Sequence, residues 1–312
     1  MFQCPGEPDF VLYEVDGMTF RANQGAFGNI TFVPDESKEL TQIVDVANIL
    51  APKVFGKKRV NIQQVRQSTQ CKIMISEDYG VSHIIISSSD QECLSNAVAQ
   101  VQRLIENAKS DEKYTHFIAV DCSTDPAFCQ SVRKFLQFVH SSTPLKEDAF
   151  DNIARLHLTL AMLKLDTPEE VTKASNVLKD VVGHFKWKGD DKLEIMGINA
   201  FSGADTPRVL YAQPKGTDTK LYLKQLQDVL VAKLKENGID KLEATDIFHI
   251  TLLRNIWFTS KWGTQAQLQQ AFDFKMEPAP LKEIALCERF TAMPGTFYKK
   301  PASCELKAIP KK

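Results

Sequence analysis

Residues 155–163 read RLHLTLAML, and residues 246–254 read DIFHITLLR. Each stretch carries His–apolar–Thr–Leu, as His157-Leu158-Thr159-Leu160 and His249-Ile250-Thr251-Leu252. In a β-strand successive side chains point to opposite faces. His157 and Thr159 therefore share one face while Leu156, Leu158 and Leu160 share the other. The same holds for His249 and Thr251 against Phe248, Ile250 and Leu252. Each strand buries an apolar face and presents a two-residue polar one. A lone His-x-Thr in a strand is most often structural. Two copies in matching apolar strands, each after a long amphipathic helix, call for a shared chemical reason.

Outward from these motifs the chain alternates helix and strand. HFIAVDC (116–122) reads as a strand, and PAFCQSVRKFLQFVHSS (126–142) as a helix with Pro126 in its first turn. A helix over TPEEVTKASNVLKDVVGHF (167–185) follows the first motif, then a strand pair in KLEIMGINAF (192–201) and RVLYAQP (208–214). A long helix ends at Gly238 before the second motif, and LKEIALCERF (281–290) closes the block. Two half-blocks thus repeat one plan. If they are related by approximate two-fold symmetry, the four polar side chains converge on one central cleft.

That set suits phosphoester chemistry. A neutral imidazole takes a proton from the attacking hydroxyl or water, and a protonated one gives a proton to the leaving oxygen. Two threonine hydroxyls donate to the non-bridging phosphate oxygens, where charge accumulates. The chemistry needs no metal and no cofactor, and no His/Asp/Glu cluster in the sequence has ligand spacing.

These paired motifs resemble the two-histidine (2H) phosphoesterases, among them RNA ligase-like cyclic phosphodiesterases, over residues 113–310. The resemblance implies a bilobal α+β fold with a central cleft and chemistry at a ribose phosphate. By position it makes His157 and His249 the catalytic pair and Thr159 and Thr251 the phosphate donors. Arg155, His116, Tyr211 and Phe290 are further cleft candidates: Arg155 on the same strand face as His157, His116 on the first strand of the block, Tyr211 and Phe290 on cleft-side strands. For His116, Tyr211 and Phe290 packing is the simpler reading.

Upstream, residues 41–110 read strand, helix, helix, strand, strand, helix. Asp90 stands at the N-cap position of the last helix. Between Lys53 and Lys72 lie Lys53, Lys57, Lys58, Arg59, Arg66 and Lys72 with no acidic residue, although the whole chain has a formal net charge of -1. The balance excludes a globally basic nucleic-acid binder and leaves this patch as the local one. It falls at the Gly56 break between two short helices, where backbone N–H groups attract phosphate.

VFGKKRVNIQQVRQSTQCKIMI (54–75) and the element order resemble a KH domain of the eukaryotic type. That resemblance implies a clamp on single-stranded RNA, or single-stranded DNA, at a G-x-x-G loop. Here Gly56-Lys57-Lys58-Arg59 keeps the first glycine and puts arginine at the second. The expectation is sequence-tolerant, salt-sensitive binding, with a KH module that mainly contacts its neighbour as the alternative.

The organisation expected is an α+β chain in three parts. A loosely structured N-terminal arm spans 1–40, a βααββα KH-like domain 41–110 and the phosphoesterase domain 111–312, joined by a charged linker around residues 109–115. The tails read as basic at Lys299-Lys300 and Lys311-Lys312. No P-loop is present. Seven cysteines without a C-x-x-C pair suit neither a zinc ribbon nor a disulfide framework. No apolar run reaches membrane-spanning length and the N-terminus is not signal-like. The cysteine usage suits reduced thiols in the cytoplasm or nucleus, and the resemblance of the paired modules implies a nuclear protein. The pairing of modules resembles a subunit of a nuclear, helicase-containing coactivator complex linked to transcription and alkylation-damage repair. The functional expectation is an RNA-binding, metal-independent phosphodiesterase acting on a phosphodiester or a 2',3'-cyclic phosphate. Its rival is a non-enzymatic RNA- or nucleotide-binding scaffold.

Overall fold

The computed structural model describes residues 10–15, 18–23, 30–32, 40–78, 81–146, 148–187, 191–201, 208–254, 265–292 and 295–307. The chain divides into two compact units, Met1–Asp111 and Glu112–Lys312.

In the first unit, β1 (Phe10–Val15), β2 (Met18–Asn23) and β3 (Ile30–Phe32) form an antiparallel sheet. These strands stand where the sequence suggests a loose arm. The pairing of Val15 with Met18 leaves two residues between β1 and β2. In the sequence they are Asp16-Gly17, a dipeptide favoured between hairpin strands. That hairpin signal is set among Gly- and Pro-rich surroundings, which obscure the strand alternation on either side of it.

The rest of the unit runs β4 (Leu40–Ala47), α1 (Ala51–Phe55), a 3-10 turn (Lys57–Arg59), α2 (Val60–Thr69), β5 (Lys72–Asp78), β6 (Val81–Ser88) and α3 (Gln91–Ser110). The sheet order is β4-β6-β5, all antiparallel. Apolar helical spacing buries Leu94, Val98, Val101 and Ile105 of α3, and Ile84 and Ile86 of β6 are likewise buried. Asp90 caps α3 by accepting from the Cys93 N–H at 2.8 Å.

The second unit begins with β7 (His116–Asp121), α4 (Pro126–Ser142), α5 (Asp148–Asp151), a 3-10 turn (Asn152–Arg155), β8 (His157–Leu163) and α6 (Pro168–His184). β9 (Lys192–Leu193), β10 (Ile195–Phe201), β11 (Val209–Pro214), α7 (Thr217–Glu236), β12 (Leu242–Ala244) and β13 (Ile250–Arg254) follow. α8 (Gln265–Phe272), β14 (Ala279–Pro280), β15 (Glu283–Glu288) and β16 (Ala302–Glu305) complete it.

Local chemistry places the helix ends. Thr167 and Glu170 form a reciprocal capping box at the start of α6, with Pro168 in its first turn. At the end of α7 the Ile239 N–H donates to the Leu234 carbonyl and the Gly238 N–H to that of Lys235. This Schellman closure needs the left-handed φ of +79° that Gly238 adopts.

The main sheet has the order β10-β11-β13-β8-β7-β15-β16, with β12 paired to β8. One face, including Ile118, Val120, Leu158, Leu160, Ile250 and Leu252, joins a large core with α4, α6 and α7. The other carries a smaller cluster of Phe117, Ala119, Ala285 and Cys287, packed by Met162, Phe297 and Tyr298. The two motif strands, β8 and β13, are antiparallel neighbours at the centre, with Ile250 opposite Leu158.

Candidate active site

The Leu158–Ile250 pairing decides the geometry. Carried one step either way along an antiparallel ladder, it sets Thr251 across from His157 and His249 across from Thr159. All four side chains lie on the face opposite the main core. Asp121 pairs with His157, and Thr251 pairs with Tyr211. One rung therefore crosses four strands as Asp121, His157, Thr251 and Tyr211, and the next holds Ala119, Thr159 and His249.

Both imidazoles are held alike. His157 Nδ1 lies 2.6 Å from the Arg155 carbonyl, and His249 Nδ1 lies 2.8 Å from the Ile247 carbonyl. A carbonyl only accepts, so each Nδ1 carries the proton and each Nε2 is left for chemistry. The Asn152 side chain donates to the Thr251 carbonyl at 3.2 Å, tying the 3-10 turn to the second motif. From below, the fully buried Gln227 of α7 donates to the carbonyls of Leu160 and Thr245 at 2.7 and 2.9 Å.

Each histidine has an aromatic surround. The His157 ring lies 4.9 Å from Phe117, 5.5 Å from Tyr298 and 6.5 Å from Phe297, centroid to centroid. The His249 ring lies 5.0 Å from Phe201 and 5.4 Å from Tyr211, which stack on each other at 4.4 Å. Burial pushes the His157 imidazolium down to about 4, against the bond to Arg155 and with help from the nearby Arg254 charge. His249 is also lowered, first by burial and then by Arg254, against its bond to Ile247. Both histidines favour the neutral form, and His157 does so more strongly.

The remaining sequence candidates separate. Tyr211 stands in the site, beside His249. Arg155 lies in the 3-10 turn rather than on the strand, and its carbonyl is what meets His157. His116 is a correction: it shares the core face with Ile118 and Val120, five residues from Asp121 along β7. That is roughly 16 Å of strand from the His157 rung. Phe290 is another. It follows the end of β15 at a left-handed φ of 67°, and its ring packs on Arg289 at 4.5 Å.

Phe117, Phe201, Phe297, Tyr298 and Arg254 are not singled out by the sequence. Arg254 ends the second motif stretch itself, where its charge is the available signal.

In the first unit, Gly56, Lys58 and Arg59 have φ of 73°, 55° and 60°. The loop keeps the left-handed geometry a second glycine would take freely, at a cost of about 1–2 kcal/mol for each non-glycine residue. A side chain at Gly56 would meet Asn61, which donates to the carbonyls of Lys53 and Val54. Lys53, Lys57, Lys58 and Lys72 are exposed. Arg59 faces Glu77 at 3.6 Å, and Arg66 donates to the Ile73 carbonyl, so part of the basic patch is occupied by the fold itself. Among the described residues, no group of three or more His, Cys, Asp or Glu is arranged to hold a metal ion, and no helix is long and apolar enough to cross a membrane.

A family model described as the AKAP7 2'5' RNA ligase-like domain matches residues 114–306, and the KH domain model matches residues 41–103. The chain is 20% identical over 224 residues to activating signal cointegrator 1 complex subunit 1 of Mus musculus. That match takes in 68% of this chain and 62% of the relative's length. Among solved structures it is similar to TT0787 of Thermus thermophilus, at 18% identity and a TM-score of 0.42, and to E. coli LigT complexed with 3'-AMP, at 20% and 0.41. Each covers 62% of this chain and 98% of the other.

Proposed function

The chain belongs to the AKAP7 2'5' RNA ligase-like domain family and carries a KH domain ahead of it, and on that footing we propose that it is an RNA-directed phosphodiesterase. His157 and His249 work as base and acid on a phosphodiester or a 2',3'-cyclic phosphate. The observation that carries this reading is the repeated arrangement of two imidazoles, each with Nδ1–H tied to the carbonyl two residues before it.

The unequal surroundings support a division of roles. His157, neutral down to about 4, is the base: its Nε2 takes the proton from the attacking water or ribose hydroxyl. His249, lowered less strongly, is the acid and protonates the leaving oxygen. A bound phosphate raises the pKa of both by its negative charge. Thr159 and Thr251 donate to the non-bridging oxygens, where the transition state gathers charge. Arg254 adds positive charge to the same side. The phosphorus exchanges one oxygen partner for another, and the proton taken at His157 is matched by the one given at His249.

The KH domain supplies a single-stranded RNA grip through the exposed Lys53, Lys57, Lys58 and Lys72, with Gly56 and Arg59 shaping the loop. As a subunit, the chain is read as part of a cointegrator complex of the kind the mouse relative is named for, with the nucleus as its expected compartment. Support for that is the 20% identity to the mouse relative over 224 residues, and co-purification of the full chain with such a complex tests it.

The test of the activity is cleavage in EDTA of labelled single-stranded RNA and of a 2',3'-cyclic nucleotide. Wild type and the His157→Ala/His249→Ala protein are compared. Product from wild type alone supports the phosphodiesterase. Tight binding without product would replace it with the scaffold reading.

A further inference from the structure

Lys300, which the sequence offers as part of a basic tail, reaches inward instead. Its Nζ lies 2.7 Å from Asp121 Oδ2 and 2.6 Å from Glu283 Oε1. Asp121 is almost fully buried, and its other oxygen accepts from the Ser123 N–H and hydroxyl at 2.9 and 2.6 Å. Lys300 Nζ also lies 4.8 Å over the Phe297 ring. Residues 297–300 thus form a short strap. The Glu288 N–H donates to the Lys299 carbonyl at 2.9 Å, and the Lys299 N–H donates to Thr291 Oγ1 at 2.9 Å. The strap lays Tyr298 edge-on against both Phe117 at 5.0 Å and His157 at 5.5 Å. Asp121, its anchor, is the direct strand partner of His157.

We propose that Lys300 is a positioning residue: by clamping Asp121 and Glu283 it holds the Phe297–Tyr298 strap over His157 and keeps water off that imidazole. The proposal rests on the reading of His157 as the base, which it deepens. A surface ion pair would contribute little, but this one ends on a buried carboxylate, where removing the partner is costly. The groups facing His157 are the Arg155 carbonyl, Asp121 from β7, His249 and Arg254 from the second motif, and Tyr298 from the strap. Lys300 therefore acts on His157 through the strap and through Asp121.

The experiment is hydrogen–deuterium exchange at histidine Cε1, read across pH by mass spectrometry on the His157 peptide of the full chain. It reports both the imidazole's titration midpoint and its accessibility. Lys300→Met is expected to raise the exchange rate several-fold and move the midpoint up by about one pH unit as water returns, with Lys300→Arg restoring both. Phe297→Ala, which leaves every ion pair in place, is expected to move both in the same direction. Should Lys300→Met fail to fold around an orphaned Asp121, Lys300→Met/Asp121→Asn is read instead. Losing the Asp121 charge alone would lower the midpoint, so a rise in that protein reports wetting. Unchanged rate and midpoint in the folded Lys300 variants would overturn the proposal, as would an unchanged Phe297→Ala. The measurement needs no substrate. A shift without turnover in wild type therefore sinks the phosphodiesterase and leaves the strap, while turnover without a shift sinks the strap alone.

Discussion

His157 and His249 stand one step to either side of the Leu158–Ile250 pair on adjacent antiparallel strands, and each donates its Nδ1 proton to a backbone carbonyl. The two imidazoles are therefore presented by the same local device in opposite strand directions. Equal presentation with unequal burial is what would divide the roles of base and acid between them in the proposed reaction.

The pH dependence follows from that division. The base must be neutral, so kcat/KM rises as pH climbs through the His157 value of about 4. The acid must be protonated, so kcat/KM falls as pH climbs through the His249 value, which lies below the ordinary 6.5. A bell with its maximum on the acid side of neutrality is expected, unchanged by chelator. His157→Ala and His249→Ala each lower kcat by about 10²–10⁴ or more, with circular dichroism showing the fold intact. A maximum above pH 7.5 would contradict this assignment of roles.

Folding stability should follow His157 as well. Its folded value is depressed below its unfolded one, so between the two values the native state binds fewer protons than the unfolded chain. Stability is full above about pH 6.5 and declines as pH falls toward 4. In a His157→Gln protein, thermal melts across that window should show a weaker dependence on pH than in wild type.

Arg254 lowers the proton affinity of both histidines. Arg254→Met is expected to move both limbs of the pH–rate profile upward, because a nearby positive charge no longer opposes the imidazolium. It should also weaken substrate binding, since a phosphate loses a cation. A profile that keeps both limbs in place would show that this charge is already screened from the cleft.

Gln227 joins the helix layer to the motif strand. Gln227→Leu leaves the Thr245 carbonyl without this donor and removes one of the donors to Leu160. An unsatisfied buried acceptor costs about 1–3 kcal/mol. Calorimetry should show a lower Tm, with some loss of activity because β8 carries His157.

The KH loop makes an unusual prediction about charge and strain. Arg59→Gly is expected to stabilise the chain by up to about 1 kcal/mol, since glycine takes the left-handed conformation without a Cβ penalty. It should also flatten the salt dependence of RNA binding if Arg59 meets a phosphate, by about 0.7 in the log–log slope. Lys57→Ala/Lys58→Ala should weaken binding across sequences alike. Denaturant melts and filter binding over a salt series separate these effects.

Most elements beyond residue 40, and the polar faces of the two motif strands, are legible in the sequence alone, whereas the strands of residues 10–32 are not. Alternation in RLHLTLAML and DIFHITLLR separated the polar face from the buried one, because the two-residue period of a strand is local. The same holds for the capped helix at Asp90 and for the βααββα order of residues 41–110. What surrounds the two histidines came from the assembled fold, because it depends on strand order. With β7 beside β8, β15 beyond β7, and β11 beside β13, residues far apart in the chain meet at the histidines: Phe117, Phe297 and Tyr298 on one side, Phe201 and Tyr211 on the other. That order also turned His116 to the opposite face and brought Lys300 in from an apparent tail to Asp121. Side-chain period is written along the chain, whereas burial and charge neighbourhood exist only after non-local strands have paired.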